Sequence, residues 1–303
     1  MREIRIPAFA KVNLRLEVLG KRADGYHELR TIFQTVSLHD TLRFRPGSTS
    51  GIQLQIHGNE QLSGEGVDKN LAFRAIDVLR DELKIRSGVD IVLQKRIPAG
   101  RGLGGGSSDA AAALLGYLQL TRKKMNPLRL LEIASQLGAD VPFFLLGGRA
   151  LGIGKGDEIY PLPDVAKLTV LIVSPNNIHV PTPNAYRWLH APALASLTKA
   201  AVQNKLFRFC ALCWSTQGNS LSNDFEAVVF RRHPRLHQIR RTLLQRGASE
   251  ALLAGSGSAV FGIFPSPAKA RRAVVEFPHD QTFVCETVSR SRYARIMNSA
   301  GLV

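Results

Sequence analysis

Between a β-branched run at Val89–Leu93 and a small-residue run at Ala110–Tyr117, residues 98–109 read Pro-Ala-Gly-Arg-Gly-Leu-Gly-Gly-Gly-Ser-Ser-Asp. The order predicts strand, glycine loop, helix. Glycine lacks a Cβ, so the main chain can turn sharply there and bring bare N–H groups close to a ligand. Successive N–H groups in such a turn form an anion-binding concavity. The helix that follows adds unpaired first-turn donors and the positive end of its dipole. Together these features predict a phosphate site. Ser107 and Ser108 stand at the helix mouth, where a hydroxyl can cap the helix or reach phosphate or Mg²⁺. A flexible linker would not run straight into a helix-forming stretch of this kind.

Neither common phosphate fingerprint describes the loop. A Walker A loop ends in Gly-Lys-Ser or Gly-Lys-Thr, and no lysine follows these glycines. Gly100, Gly102 and Gly105 satisfy G-x-G-x-x-G in form. A dinucleotide fold, however, would place an acidic residue about 20 residues further on, where this chain has the basic Thr121–Lys124.

The 303 residues are 45% hydrophobic and 21% charged, an ordinary globular balance whose length suggests about two domains. No apolar segment follows Met1-Arg-Glu-Ile and no run approaches a membrane span, so we expect a cytoplasmic protein without membrane contact. Cys210-Ala-Leu-Cys213 has CxxC spacing, but no second pair accompanies it, and buried reduced thiols are expected there. The net charge of +16 implies attraction to anions, either phosphorylated small molecules or nucleic acid. Much of it falls at helical spacing in residues 231–246 and 269–295 and reads as solvated faces.

At the N-terminus, Val12, Leu14, Leu16 and Val18 share one face of a strand, while Lys11, Asn13, Arg15 and Glu17 share the other. Asp24-Gly25 marks a turn before Tyr26-His27 and a second strand around Leu29–Leu38. Asn70 is placed to cap a helix with Leu71, Ala75, Ile76, Leu79 and Leu83 on one face. Asn126-Pro127 opens another helix, which Gly138 closes. A loop at Pro161–Asp164 divides the chain into units 1–164 and 165–303. In the second unit we expect a strand at Leu168–Val173, a basic helix at Leu236–Arg246, two strands around Gly255-Ser-Gly257, and a helix opened by Ser266-Pro267. Strands and helices mixed without strict βαβ alternation argue for α+β.

A phosphate cradle needs an acceptor for the proton of an attacking hydroxyl. Asp140, between a helix end and the apolar Val141–Leu146, can serve, although a capping aspartate fits the same position. Lys11 could pair with it and steady charge on a transferring phosphoryl group, against the plainer reading of a solvated strand lysine. Tyr26-His27 could stack on a base edge or simply decorate a hairpin. Gly255-Ser-Gly-Ser258 is a second candidate anion nest or an ordinary hairpin turn.

Taken together, these segments resemble the GHMP small-molecule kinases, and within them the branch acting on diphosphocytidyl-methylerythritol. The resemblance rests on Pro7–Leu14, Arg22-Ala-Asp-Gly-Tyr-His27, Pro98–Ala111, Gly138-Ala-Asp-Val-Pro-Phe143, Val180-Pro-Thr-Pro183, Ser222-Asn-Asp224 and Leu253–Ser258, nearly the whole chain. It implies two α+β domains, the first akin to ribosomal protein S5 domain 2, with the active site in the cleft between them. It implies ATP and Mg²⁺ as cofactor and metal, Asp140 as base and Lys11 as catalytic lysine. The ATP-phosphate loop would be Pro98, Ala99, Gly100, Arg101, Gly102, Leu103, Gly104, Gly105, Gly106, Ser107 and Ser108, with Ser107 or Ser108 near the metal. Asn70 and Lys95 would lie toward the adenosine. Asn13, Tyr26, His27, Phe33, Thr182 and Tyr186 would hold the cytidine and methylerythritol portions. Four features depart from that pattern: Gly138-Ala-Asp where the family often has Gly-Ser-Asp, a small swap; Arg101 within the loop; Tyr186 at the base-stacking place; and the high positive charge. The rival readings are another GHMP kinase, of the homoserine or mevalonate type, and an RNA-binding protein built on an S5-like module. Neither nucleic acid nor membrane is an expected partner, and a monomer or homodimer is the expected state.

Overall fold

The computed structural model describes residues 3–47, 49–59, 66–197, 203, 209 and 221–298. It opens on two long antiparallel strands, β1 (Ile4–Lys21) and β2 (His27–Pro46). Their turn forms as the Asp-Gly dipeptide predicts: Gly25 has φ of 86°, Arg22 N–H donates to the Tyr26 carbonyl at 2.8 Å, and the Asp24 carboxylate accepts from Tyr26 N–H. The register shifts between Phe9 and Lys11, between Asn13 and Arg15, and between Val18 and Gly20. Irregularities of this kind bend a strand and re-aim its side chains.

Next come β3 (Ile52–His57), helix α1 (Leu71–Glu82), β4 (Val89–Gln94), α2 (Gly105–Thr121), α3 (Pro127–Leu137), α4 (Val141–Leu146), β5 (Arg149–Gly154) and β6 (Glu158–Pro161). Asn70 accepts from Ala72 N–H and Asn126 from Leu128 N–H, so both predicted caps form. The first sheet runs β3-β4-β2-β1, with β5 paired to the other end of β2 and β6 to β5. Ile6, Leu42, Phe44, Ile91 and Leu93 from the sheet meet Ala72, Ile76, Leu79, Ala111, Leu114 and Ile133 from α1–α3 in one buried core.

The second half holds β7 (Thr169–Pro175), α5 (Thr182–Leu189), the short β8 (Ser222–Asn223), α6 (Phe225–Arg232), α7 (Pro234–Gln245), β9 (Glu250–Leu253), β10 (Val260–Phe264), α8 (Pro267–Ala273), β11 (Asp280–Glu286) and α9 (Arg290–Asn298). Its sheet runs β11-β7-β10-β9. One face packs under α6–α8 through Leu171, Val173, Val260, Leu236, Ile239 and Ala270. The other face, with Ile172, Leu252 and Phe261, packs on Ala10, Val12, Leu14 and Val36 of the first sheet. Two sheets thus meet face to face, and their shared core also buries Ile97, just before the glycine stretch, and Leu103 within it.

Two segments cross the division expected at residue 164. β8 pairs in parallel with β1 at Arg15 and Leu16, and the neighbouring Asp224 carboxylate accepts from Val18 N–H. Helix α9 returns to the first core, where Tyr293 and Met297 are buried and Tyr293 donates to the Phe144 carbonyl. The plainer reading of Lys11 as a solvated strand lysine is also corrected: Lys11 is 4% exposed, and Asn13 and Arg15 beside it are 1% and 6% exposed. Strand alternation distinguishes two faces but not whether the polar one meets water or a second layer. Cys210 and Cys213 lie outside the described residues.

Candidate active site

The glycine loop takes the conformation that its sequence demands. Gly100, Gly102 and Gly104 have φ of 66°, 81° and 72°, the left-handed region open to glycine and costly to other residues. These alternate turns lead into α2, whose first-turn amides at Gly105, Gly106 and Ser107 precede the first intrahelical bond, from Ser108 N–H to the Gly104 carbonyl. The two serines part company here. Ser107 lines the cleft, whereas Ser108 is 1% exposed with its hydroxyl unpartnered among the described residues, turned into the protein.

Lys11 and Asp140 meet across this mouth. The Lys11 ammonium lies 3.4 Å from the Asp140 carboxylate and donates to Asn13 Oδ1 at 2.7 Å. Asn13 in turn donates to Thr31 Oγ1 at 2.7 Å, which fixes the amide. Lys11 is held from the loop side too, because its N–H donates to the Leu103 carbonyl at 3.0 Å. Asp140 stands at the start of α4, yet its side chain makes no capping bond, so the capping reading is overturned. Its side chain is 32% exposed and lines the cleft. The result is a carboxylate that reaches solvent beside an ammonium that does not.

Lys95 has different surroundings. Its ammonium sits 2.5 Å from Asp40 and 2.6 Å from Asp109, all three side chains being under 5% exposed. The other Asp40 oxygen accepts from the N–H groups of Arg96 and Ile97, where the chain enters the glycine stretch. The unit therefore ties β2, the end of β4 and the second turn of α2 together. Burial drives the Asp109 carboxyl up to about 7: Lys95 opposes the shift, but Asp40 adds to it, since one ammonium cannot neutralise two carboxylates. For Lys95, burial pulls downward but the two carboxylates outweigh it, and its value is raised. Neither Asp40 nor Asp109 was singled out from the sequence. Each is an isolated acid with no periodic signal, and 55 residues separate Asp40 from Lys95.

The remaining residues distribute along one cleft of about 1150 Å³. His27 stacks on Tyr186 of α5 with ring centroids 4.5 Å apart, and Tyr186 meets Phe225 edge-on at 4.8 Å. Burial, followed by the charge of Lys21, lowers the His27 pKa, so its imidazole is neutral at pH 7. Tyr26 is 58% exposed beneath the Lys155 ammonium. Phe33 stacks on Phe143 at 4.8 Å and lies below Lys11. Thr182 accepts from Ser256 at 3.1 Å, and Asn70 lines the wall near Lys69. Seven lysines and arginines (Lys11, Lys21, Lys69, Lys95, Arg101, Lys155 and Arg187) line the cleft against two carboxylates, Asp109 and Asp140. That balance suits polyanionic ligands.

Residues 70–148 match the GHMP kinases N terminal domain, and residues 199–280 match the GHMP kinases C terminal domain. The chain is 46% identical to the 4-diphosphocytidyl-2-C-methyl-D-erythritol kinase of Solibacter usitatus (strain Ellin6076), over 99% of this chain and 93% of that protein. This chain belongs to the 4-diphosphocytidyl-2-C-methyl-D-erythritol kinase family. A crystal structure of 4-(cytidine 5'-diphospho)-2C-methyl-D-erythritol kinase superposes with a TM-score of 0.75 at 36% identity, covering 94% of this chain and 99% of that one. A homoserine kinase from Cytophaga hutchinsonii shares the fold, with a TM-score of 0.72 at 20% identity over 95% of each chain. The family's kinase fold is thus built here from two α+β halves around a shared cleft. Among the described residues no helix is long and apolar enough to cross a membrane.

Proposed function

We propose that the protein transfers the γ-phosphoryl group of ATP to the 2-hydroxyl of 4-diphosphocytidyl-2-C-methyl-D-erythritol, a step of the non-mevalonate route to isoprenoid precursors. The observation that carries the chemistry is the Lys11–Asp140 pair at 3.4 Å, in the same cleft as the first-turn amides of α2. The γ-phosphorus forms a bond to the substrate oxygen as its bond to the bridging oxygen of ADP breaks. The hydroxyl proton passes to Asp140, whose accessible carboxylate is free of a capping bond. Lys11 steadies the negative charge gathering on the phosphoryl oxygens and the nascent alkoxide, with Asn13 holding its ammonium in place. A tertiary alcohol is a weak acid, so this charge stabilisation matters as much as positioning.

The amides of Gly105, Gly106 and Ser107 supply the phosphate cradle. Asn70 lies on the wall toward which the adenosine would extend. The cytidine end falls to Tyr26, His27 and Tyr186, where a flat aromatic surface and a neutral imidazole suit a base edge. Phe33 and Thr182 border the methylerythritol portion.

The donors present fit Mg²⁺ held chiefly by ATP. No cluster of three metal-binding side chains exists among the described residues, and Mg²⁺ commonly rests on substrate phosphates plus one or two protein oxygens. Ser107 is the cleft-facing hydroxyl for that place, and Asp140 the accessible carboxylate. When bound, the ion neutralises charge on the phosphates.

The purified protein, given Mg·ATP and each of diphosphocytidyl-methylerythritol, homoserine and mevalonate, should phosphorylate the first at the 2-position. Turnover confined to homoserine or mevalonate would reassign the substrate while leaving the kinase chemistry intact. Absence of ATP consumption with all three would refute the reading.

A further inference from the structure

The glycine loop carries one residue that its phosphate-binding role does not explain. Arg101 reaches from the cleft wall into the second half of the molecule. Its guanidinium donates to Ser258 Oγ at 2.8 Å and to the Asn176 carbonyl at 3.2 Å. Ser258 is fully buried and donates onward to the Ile178 carbonyl at 2.8 Å, so both capacities of its hydroxyl are used. The main chain follows the same path, with Ala259 N–H donating to the Arg101 carbonyl at 3.2 Å. Packing allows no slack. A Cβ on Gly102 would lie 1.8 Å from the Ala254 carbonyl oxygen, and one on Gly257 would lie 2.1 Å from the Arg101 carbonyl carbon. The two glycine turns are interlocked main chain to main chain, one from each half.

We infer that Arg101 is a positioning residue: its bonds to Ser258 and to the 176 carbonyl clamp the phosphate loop to the second half, so that the loop holds its ligand-ready shape before nucleotide arrives. The clamp acts immediately upstream of the amides at Gly105–Ser107, while Lys11 N–H holds Leu103 from the opposite side. Without the clamp, the loop must be ordered as nucleotide binds, and affinity falls by the cost of that ordering. The inference deepens the proposed ATP site and rests on it for the kinetic arm only.

The test compares Arg101→Ala, Arg101→Lys, Ser258→Ala and the Arg101→Ala/Ser258→Ala double variant. In the nucleotide-free protein, amide hydrogen exchange over residues 100–107 should quicken in Arg101→Ala and in Ser258→Ala, with exchange in β4 and the body of α2 unchanged. That measurement needs no substrate and stands even if the kinase reading fails. In kinetics, Arg101→Ala should raise the KM for ATP and the Kd for ADP about tenfold, the size expected for loss of a charged hydrogen bond. The kcat and the KM for the phosphoryl acceptor should change far less. Ser258→Ala should move the same constants in the same direction, and the double variant should be no worse than Arg101→Ala. Arg101→Lys should recover part of the affinity, since an ammonium can reach one acceptor but cannot fork between two. An Arg101 that touched phosphate directly would leave Ser258→Ala silent and leave loop exchange at its native rate. Either of those results would overturn the clamp.

Discussion

Two buried lysines, Lys11 and Lys95, occupy this molecule in opposite ways. Each is about 95% covered. Lys95 is closed between two equally buried carboxylates at 2.5 and 2.6 Å, and one of these also grips two main-chain amides. Lys11 has one neutral amide at 2.7 Å and one carboxylate, at 3.4 Å, which reaches solvent. The first ammonium is over-compensated and serves the scaffold. The second is under-compensated and faces the cleft, so its charge remains available to a developing anion. Burial alone would have graded the two alike; what separates them is how many anions surround each and how exposed those anions are. We propose that Lys95, which the resemblance directs toward adenosine and which also lines the cleft, chiefly braces the loop's entrance.

The largest expected effect is at Asp140. Asp140→Asn preserves shape but cannot take a proton, and kcat should fall about 10²–10⁴-fold if general-base catalysis carries its usual weight. The KM values for both ligands should stay near native. Steady-state kinetics with both substrates measure this, and near-native turnover would remove Asp140 from the chemistry. Lys11→Met should follow closely, with kcat down about 10²–10³-fold as for loss of one preorganised charge donor. Its thermal midpoint should barely move, because the carboxylate left behind is 32% exposed and retains water.

Lys95→Met should invert that profile. It strands Asp40 and Asp109 without a cation, and breaking a buried pair by removing one partner costs about 3–5 kcal/mol. Thermal or urea unfolding should show the loss. Whatever Lys95→Met protein remains folded should turn over far faster than Lys11→Met. A Lys95 variant of native stability but without activity would erase the distinction between the two lysines and return Lys95 to the nucleotide.

The sequence disclosed one of these sites much better than the other. The glycine loop, the Asn70, Asn126 and Ser266 caps and the Asp24-Gly25 turn are local chemistry, and each forms where the residues predict. Lys11 and Asp140 could be offered as a pair from their chemistry and by resemblance, but each also had a plainer reading, because 129 residues separate them and no spacing fixes their meeting. Asp40 and Asp109 left no trace: a lone acid in a strand and another in an alanine-rich helix look like surface residues until a third element closes over them. The plainer reading of Lys11 on the polar face of β1 failed for the same reason. Alternation announces two faces; the second sheet covers the apolar one, and the polar one lines the cleft, where Lys11 lies over Phe33. The return of α9 to the first core was equally hidden, since Tyr293 and Met297 appear in an arginine-rich helix whose composition suggests solvent.

The smallest effect, and the finest probe of the scaffold lysine, is at Asp109. In the unfolded chain its carboxyl titrates near the ordinary 3.8, whereas burial holds it near 7 in the fold, with Lys95 at the end of β4 and Asp40 on β2 as the charges that face it. Between about pH 4 and 7 the folded state therefore keeps a proton that the unfolded state has lost. The Asp109 contribution to stability therefore falls as pH rises through that window and levels off above it. Lys95 contributes no slope there, because its raised value lies above 10.5 and its stabilisation fades only at higher pH. Asp109→Asn deletes the titration while keeping an oxygen to accept from Lys95. The difference in thermal midpoint between variant and wild type should grow in the variant's favour from pH 5 to 7 and be constant from pH 7 to 8. The variant's kcat should remain within a few-fold of native, in contrast to Asp140→Asn. Parallel pH profiles would mean that Asp109 is ionised throughout and that Lys95 satisfies both of its carboxylates. The two lysines would then differ only in how exposed their carboxylates are, not in charge balance.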